Sequence, residues 1–253
     1  GLKGIDFWLD TARQAVNKGM LYLLITGGEP FLYPDFLKLY RELKKLGIHI
    51  VINTNGTLLT EEIIQELKKY PPRRLNISLY GASEETYERV CRRKGKFHTV
   101  LRNLEKLKGN GILVRLHTSL TPANIEDYDG MARIATELEM PLGMAYYMFP
   151  SVRRGDPSLN QEFRFDACTA GQVKFRYTRD SLIRKEFERV LREMPGQLRN
   201  YKEYPYYGYD RISCRAGLST FWVNWKGELL PCGMMETPAV DLEKMNFDLA
   251  WEE

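Results

Sequence analysis

The sequence predicts an α/β fold, a parallel sheet flanked by helices, and two observations support this. Short apolar runs suited to strands alternate with segments of helical apolar spacing from Leu21 to Met148. Every distinctive glycine-bearing loop in this region follows the carboxyl end of a predicted strand. Such alternation implies parallel strands, and right-handed crossovers then build either an open doubly wound sheet or a barrel. Both architectures place their ligand sites at the carboxyl ends of the strands.

Helices are predicted where helical apolar spacing lies between a capping residue and a glycine or proline. Thr60 and Ser83 each precede two glutamates, which the helix dipole favours in a first turn. Gly47 and Gly109 are suited to helix ends. The predicted helices are Ile5–Lys18, a segment capped by Asp35 that runs through Leu46, one from Thr60 to Lys69, one starting at Ser83, Phe97–Lys108 and Ile125–Leu138.

Strands are predicted where a short apolar run precedes a polar turn. Their loops read G-G-E-P, N-T-N-G, S-L-Y-G and T-P-A-N in chain order, and the last strand ends near F-P. The predicted strands are Leu21–Thr26, His49–Asn53, Leu75–Leu79, Leu113–Leu120 and Gly143–Met148.

The stretch from Leu21 to Tyr33 carries the most informative loop. Its five leading apolar or aromatic residues are typical of a strand buried on both faces. The paired glycines Gly27 and Gly28 let another molecule approach the backbone, and a proline keeps Glu29 extended. A carboxylate and free amides facing one spot would receive an ammonium group beside acceptor atoms. A tight turn with an ordinary surface glutamate is an equally weighted alternative, because short glycine motifs recur by chance.

Composition limits the classes of partner. A chain of 253 residues with a net charge of +4 fits one large domain, with or without a small appendage, and needs no nucleic-acid partner. No apolar run reaches the roughly 18 residues of a membrane span, and no signal peptide is visible, so no membrane partner is expected. Four scattered cysteines do not make a disulfide scaffold. A cytoplasmic protein is expected.

The chain changes character after Pro150. Phe175–Leu198 is charged and predicted to be helical, and Lys202–Asp210 is rich in tyrosine. Further on, two short apolar arms, Thr220–Asn224 and Glu228–Leu230, predict a hairpin that turns through W-K-G. Cys214 and Cys232 flank this hairpin.

These motifs together resemble the radical S-adenosylmethionine (SAM) enzymes. The resemblance rests on G-G-E-P after one strand and on N-T-N-G and S-L-Y-G-A-S-E-E-T-Y after the next two. The closing segment is similar to their SPASM or twitch extension, whose pattern of Cys, Gly and Cys is satisfied by Cys214, Gly227 and Cys232. The resemblance covers Ile5 to Trp251. G-G-E-P alone is moderately specific, and the combination is strongly specific.

The resemblance implies a partial six-stranded (β/α) barrel with a small hairpin-containing iron–sulfur extension. Residues 1–150 would be the radical SAM barrel without its first strand and cluster loop. Residues 151–210 would be a connecting helical region, and 211–253 the start of the SPASM or twitch domain. The barrel rim would hold SAM and a [4Fe–4S] cluster.

The same resemblance assigns SAM-contacting positions. Gly27, Gly28 and Glu29 would hold the methionine amino group. The residues implied near the ribose and carboxylate, in the third loop, in the fifth loop and beside the adenine are, in that order, Ser78, Asn53 and Asn55, Thr118, and Tyr147 and Met148. A plain turn at Asn55 and an ordinary strand residue at Thr118 are open alternatives. No catalytic acid or base is singled out.

Two departures from the family pattern concern iron–sulfur ligation. The C-x3-C-x2-C triplet that holds the radical-generating cluster does not occur in the sequence, so its ligands are expected upstream of Gly1. The chain as written cannot make the 5′-deoxyadenosyl radical. One or more auxiliary [4Fe–4S] clusters are expected, with Cys214 and Cys232 as two of the thiolate ligands; two free core thiols are the alternative. Many relatives have an arginine for the SAM carboxylate at Cys91, and whether Arg89 or Arg92 substitutes is open.

The resemblance also implies a function. The intact protein is expected to be an enzyme that abstracts hydrogen from a ribosomally made precursor peptide and installs a thioether or carbon–carbon crosslink. It would take electrons from a flavodoxin- or ferredoxin-type donor. Maturation of a sulfatase or modification of a small metabolite is the alternative within the class. A non-catalytic barrel that binds SAM or peptide is the alternative from another class.

Overall fold

The computed structural model describes residues 2–148, 161–181, 188–189, 191–193 and 214–252. The described residues contain a five-stranded parallel sheet whose strand order follows the chain. This order is that of a (β/α) barrel, because a doubly wound sheet reverses its strand order at a switch point. The strands are β1 (Tyr22–Ile25), β2 (His49–Thr54), β3 (Arg74–Ser78), β4 (Val114–Ser119) and β5 (Leu142–Ala145).

Helices connect consecutive strands, as the apolar spacing predicts. Thr60 and Ser83 accept hydrogen bonds from the backbone N–H groups of Ile63 and Thr86, so both predicted N-caps are confirmed. A 3₁₀ turn, Ile125–Asp127, precedes the sixth helix. The barrel helices are α1 (Ile5–Asn17), α2 (Phe36–Lys45), α3 (Glu61–Lys69), α4 (Glu84–Cys91), α5 (Lys96–Gly109) and α6 (Tyr128–Glu137).

The two faces of the sheet differ in chemistry. On the outer face, alternate residues such as Ile52, Ile77 and Leu116 are fully buried in one apolar cluster with side chains of the surrounding helices. On the inner face, which we call the lumen face, the strands carry half-buried polar side chains instead. They are Asn53, Arg74, Asn76, Ser78, Arg115, His117 and Ser119.

Strand β1 corrects one expectation. It was expected to be buried on both faces, but the structure places it at the edge of the sheet with Tyr22 58% and Leu24 46% exposed. The reason is that only its other face packs on the apolar cluster, through Leu23 and Ile25. On the exposed face, the Tyr22 ring contacts His49 at the edge of the neighbouring strand and the Arg73 guanidinium among the described residues.

The region after β5 also differs in its bounds. The predicted strand reached Met148, whereas β5 ends at Ala145. Helix α7 (Ala167–Ser181) begins before the predicted Phe175. It packs on the barrel, where the Tyr177 hydroxyl donates to the Leu142 carbonyl at 3.2 Å. The predicted tyrosine-rich segment, Lys202–Asp210, lies outside the described residues.

The C-terminal residues form a small antiparallel sheet beside α1. Strands β6 (Trp222–Val223) and β7 (Glu228–Leu230) make the predicted hairpin, and β8 (Val240–Asp241) pairs with β7. Helix α8 (Phe247–Glu252) follows. Leu229, Phe247 and Ala250 bury an apolar cluster against Ala15 of α1. No helix among the residues described here is long and apolar enough to cross a membrane.

Candidate functional site

The loop after β1 leaves an open cradle at the carboxyl rim of the sheet. Gly27 and Gly28 are exposed, and a side chain placed on either would meet no atom within 4 Å. Gly27 has a φ of +155°, a backbone conformation that side-chain-bearing residues rarely adopt. The cradle therefore offers bare backbone groups and free space to a ligand, as the two adjacent glycines predict.

Glu29 is fixed beside this cradle by contacts that the sequence did not reveal. The side chain is buried, and its carboxylate accepts hydrogen bonds from the Thr54 hydroxyl and the Asn55 backbone N–H, each at 2.8 Å. It also accepts from the Phe31 N–H at 3.3 Å. The alternative of an ordinary surface glutamate is therefore wrong. The carboxylate ties the first rim loop to the second.

The second rim loop is a tight turn organised by Thr54 and Asn55. The Thr54 hydroxyl accepts from the Gly56 N–H at 3.0 Å while it donates to Glu29. The Asn55 side-chain oxygen accepts from the Thr57 N–H at 2.9 Å and hydroxyl at 2.6 Å. The Asn55 side chain thus stabilises its own turn, and its backbone N–H meets Glu29. This geometry agrees with the plain-turn alternative for that side chain.

Below the rim, the lumen face carries a chain of amide and guanidinium contacts. Asn76 Nδ2 donates to Asn53 Oδ1 at 2.7 Å, and Arg74 Nε donates to Asn76 Oδ1 at 3.0 Å. Ser78 lies one layer nearer the rim, in register with His117. The structure therefore brings Asn53 and Ser78 to the same face below the cradle.

Thr118 is placed away from that face. It is 2% exposed and shares the outer face with Leu116, because alternate residues of a strand point to opposite sides. Its hydroxyl has no hydrogen-bond partner among the described residues. The expectation that Thr118 contacts SAM is therefore corrected: the β4 side chains that face the lumen near the rim are His117 and Ser119.

Tyr147 and Met148 lie beyond the end of β5 on the carboxyl side of the sheet. Tyr147 is 52% exposed, and Met148 is half-buried. Their main chain is outside regular structure.

The third and fourth rim loops are joined by residues that the sequence analysis missed. Asp127 Oδ2 accepts from the Ala82 N–H at 2.7 Å, and Asn124 Nδ2 donates to the Tyr80 carbonyl at 3.0 Å. A side chain at Gly81 would lie 3.1 Å from the same Asp127 oxygen. The available signal was that Asn124 and Asp127 both lie shortly after the end of β4.

The two arginines considered for the SAM carboxylate have other structural roles. Arg89 donates to the Ala123 carbonyl at 3.0 Å and to the Thr86 hydroxyl at 3.1 Å, so its guanidinium supports a loop. Arg92 ends α4 in a left-handed conformation. Cys91 is a half-buried thiol, and burial raises its pKa to about 11, which makes it a poor nucleophile.

Cys214 and Cys232 flank the hairpin as predicted, and both are free thiols. Cys214 is exposed and its Sγ accepts from the Ala216 N–H at 3.4 Å, whereas Cys232 is half-buried. Within the described ranges, no three His, Cys, Asp or Glu side chains are grouped to hold a metal ion. Two thiols fall short of the four thiolates that a [4Fe–4S] cluster takes, so this part of the chain does not by itself fit one.

Comparison with known proteins identifies the family. The family model "Radical SAM superfamily" matches residues 4–135, slightly more than half of the chain. A curated relative, the AdoMet-dependent heme synthase of Methanosarcina barkeri, is 25% identical over 246 residues, covering 94% of this chain and 70% of that protein. The antilisterial bacteriocin subtilosin biosynthesis protein AlbA of Bacillus subtilis is 24% identical, covering 92% of this chain and 49% of that protein.

A solved structure agrees with the fold. The crystal structure of Streptococcus suis SuiB bound to precursor peptide SuiA superposes with a TM-score of 0.71 at 17% identity. The superposition covers 99% of this chain and 58% of SuiB. The partial barrel expected from the sequence is thereby confirmed. The chain spans about three fifths of that structure's length.

Proposed function

Because the chain belongs to the radical SAM superfamily, a family of enzymes, we propose that the intact protein is a radical SAM enzyme that modifies a peptide. When bound to a [4Fe–4S] cluster and reductively cleaved, SAM supplies a 5′-deoxyadenosyl radical able to abstract hydrogen from an unactivated C–H bond. The protein's own task is to orient SAM and substrate and to exclude water. Residues upstream of Gly1 would ligate the cluster.

The observation that carries this proposal is the open cradle at Gly27 and Gly28. A ligand with an ammonium group fits there, because the bare backbone offers acceptors and no side chain fills the space. Glu29 holds the cradle against the second rim loop, so its contribution is to fix the position of the SAM amino group. Asn53 and Ser78 would face the remainder of the methionine and ribose from below.

For the other assigned positions we propose less specific roles. The main chain at Tyr147 and Met148 would border the adenine, and Asn55 would act through its backbone. Cys214 and Cys232 would contribute two thiolates to an auxiliary cluster, with further ligands outside the described residues. A flavodoxin- or ferredoxin-type protein would supply the electron.

A precursor peptide is the substrate we favour. The similar structure of SuiB contains the precursor peptide SuiA, and AlbA is named for bacteriocin biosynthesis. A thioether or carbon–carbon crosslink is the proposed product. A tetrapyrrole is a second candidate, because the relative that covers 94% of this chain at 25% identity is named a heme synthase. A barrel that binds SAM without catalysis is the rival from another class.

Formation of 5′-deoxyadenosine tests the proposed chemistry. Full-length protein, loaded with iron and sulfide under anaerobic conditions and reduced with dithionite, should release 5′-deoxyadenosine from SAM. Gly28→Asp should abolish release, because a carboxylate would occupy the cradle. Glu105→Gln, an exposed change on α5, is the control. Absence of 5′-deoxyadenosine and of SAM binding in the loaded wild-type protein would refute the proposal.

Mass spectrometry tests the substrate class. The small peptide encoded beside the gene, co-expressed with the full-length protein, should lose two hydrogens for each crosslink formed. The same peptide co-expressed with Gly28→Asp should keep its mass. An unchanged peptide alongside conversion of iron coproporphyrin III would favour the tetrapyrrole candidate instead.

A further inference from the structure

Two guanidinium groups and an imidazole lie together on the lumen face below the cradle. Arg115 of β4 is in register with Asn76 of β3, and Arg74 donates to that same Asn76. His117 follows on β4, one layer nearer the rim. Arg74 and Arg115 are both close enough to influence the charge state of His117. Strand pairing therefore gathers three basic side chains in one part of the lumen.

Gly143 makes room for two of them. A Cβ atom placed on Gly143 would lie 2.9 Å from His117 Cε1, 3.0 Å from Arg115 Nε and 3.1 Å from Arg115 Nη2. Arg115 and His117 thus converge over the one position of β5 that lacks a side chain. Their polar ends occupy adjacent space instead of spreading apart toward solvent.

The described residues leave the positive charge of this cluster uncompensated. Within the part of the chain that the structure describes, no carboxylate forms an ion pair with Arg74 or Arg115, and Arg115 Nε is buried without a hydrogen-bond partner. Burial, Arg115 and Arg74 together hold the pKa of His117 below its ordinary value, and no acidic group among the described residues acts against them. A partly buried guanidinium without an anion is costly, so this arrangement favours an anionic ligand.

We propose that Arg115, Arg74 and His117 form a subsite in the lumen that binds a carboxylate of the substrate. The planar fork of Arg115 suits a carboxylate, which accepts two parallel N–H bonds. This inference rests on the proposed function, since it takes the lumen as the place where substrate enters. It narrows the substrate to molecules that carry a carboxylate. A glutamate or aspartate side chain or a tetrapyrrole propionate each meets that requirement.

Titration of His117 by NMR tests the subsite without requiring turnover. The probes are the peptides Gly-Gly-Glu-Gly-Gly and Gly-Gly-Gln-Gly-Gly and metal-free coproporphyrin III, each added to cluster-loaded full-length protein. A bound carboxylate opposes the two arginines, so the glutamate peptide should raise the pKa of His117 and saturate. The glutamine peptide should do neither. His117→Gln identifies the resonance, and the other two histidines are internal references.

Matched variants locate the effect. Arg115→Gln should weaken binding of the glutamate peptide by about tenfold or more, because a charge-assisted hydrogen bond is lost. Arg102→Gln makes the same change at an exposed position of α5 and should leave binding unchanged. Gly143→Ala keeps every charge but pushes Arg115 and His117 aside, and should also weaken binding. Far-UV circular dichroism and melting confirm that each variant is folded.

The possible results distinguish a carboxylate subsite from its absence. If coproporphyrin III binds and the glutamate peptide does not, the carboxylate subsite stands and the tetrapyrrole source is selected. If neither carboxylate probe shifts His117, if the glutamine peptide binds as well, or if Gly143→Ala or Arg115→Gln binds like wild type, the subsite is refuted. Release of 5′-deoxyadenosine by the wild-type protein is scored separately, so failure of the subsite and failure of the proposed function are distinguishable.

Discussion

The two faces of the five-stranded sheet are made by the same strands yet follow different rules. The outer face buries aliphatic side chains such as Ile52 and Ile77 completely, and its packing holds the barrel together. The lumen face carries amides, arginines and a histidine that are only half-buried. One face contributes stability and the other presents polar chemistry. Neighbouring residues of a single strand therefore have unlike roles, and substitutions in pairs can expose the difference.

The largest expected effect is on the outer face. Ile52→Ala should lower the free energy of unfolding by about 2–5 kcal/mol, because it removes buried methyl groups and leaves a cavity. Val51→Ala, the adjacent residue on the lumen face, should cost less than half as much, since Val51 is only half-buried. Urea denaturation of the two variants measures the difference. Equal losses would contradict the division of the sheet into a packed face and a ligand face.

The second largest effect is expected at Glu29, which links the first and second rim loops. Glu29→Gln should lower the free energy of unfolding by about 1–3 kcal/mol, because a neutral amide replaces a buried acceptor of three hydrogen bonds. SAM affinity should fall with it, since the cradle loses its support. Isothermal calorimetry on loaded full-length protein measures the affinity, with Glu105→Gln as the exposed control. If SAM binding is undisturbed while stability falls, Glu29 does not position the cradle.

Thr118 offers a smaller test of which face it occupies. Thr118→Val should leave stability unchanged or raise it by up to about 1 kcal/mol, because the buried hydroxyl that it removes has no partner in the described structure. SAM affinity should not change. Ser78→Val, on the lumen face, should weaken SAM binding. A loss of affinity in Thr118→Val comparable to that in Ser78→Val would restore the role first expected of Thr118.

The smallest expected effect is on the pH dependence of the free energy of unfolding. The folded protein holds the pKa of His117 below the ordinary value of about 6.5. The unfolded chain therefore takes up a proton first, and wild-type stability should decline as the pH falls below about 6.5. His117→Gln should show a shallower decline between pH 7.5 and 5.5 in urea titrations. Identical pH profiles would mean that the lumen does not disfavour a charged imidazole.

Local chemistry explains what the sequence could predict. Thr60 and Ser83 cap their helices because the capping bond is made within four residues, and the hairpin around Gly227 depends on one turn. The cradle followed from two adjacent glycines. None of these features needs knowledge of distant partners. Their prediction therefore succeeded where residue type alone decides the structure.

What the sequence left open depends on tertiary contacts. Two of the three partners of Glu29, Thr54 and Asn55, lie at the end of the next strand, and the exposure of Tyr22 depends on what lies beside the sheet edge. Thr118 was assigned to SAM contact through resemblance, although the alternation of residues along its own strand predicts which face it occupies. Residues Val114, Leu116 and Thr118 share one parity, and strand alternation places all three on the outer face. The residues of opposite parity, Arg115 and His117, would have been identified as facing the lumen.

Helix α1 is apolar in two directions. Leu9 and Ala12 pack into the barrel cluster, whereas Ala15 lies beneath Leu229 and Phe247 of the C-terminal sheet, and the hairpin turn at Gly227 rests against Phe7. Helix α1 thus packs against both the barrel and the C-terminal sheet, while Asp6, Asp10, Arg13 and Asn17 keep one side of it in solvent. A barrel from which residues 214–252 have been removed would expose to water the apolar side of α1 that they cover. We expect such a fragment to self-associate instead of remaining a monomer.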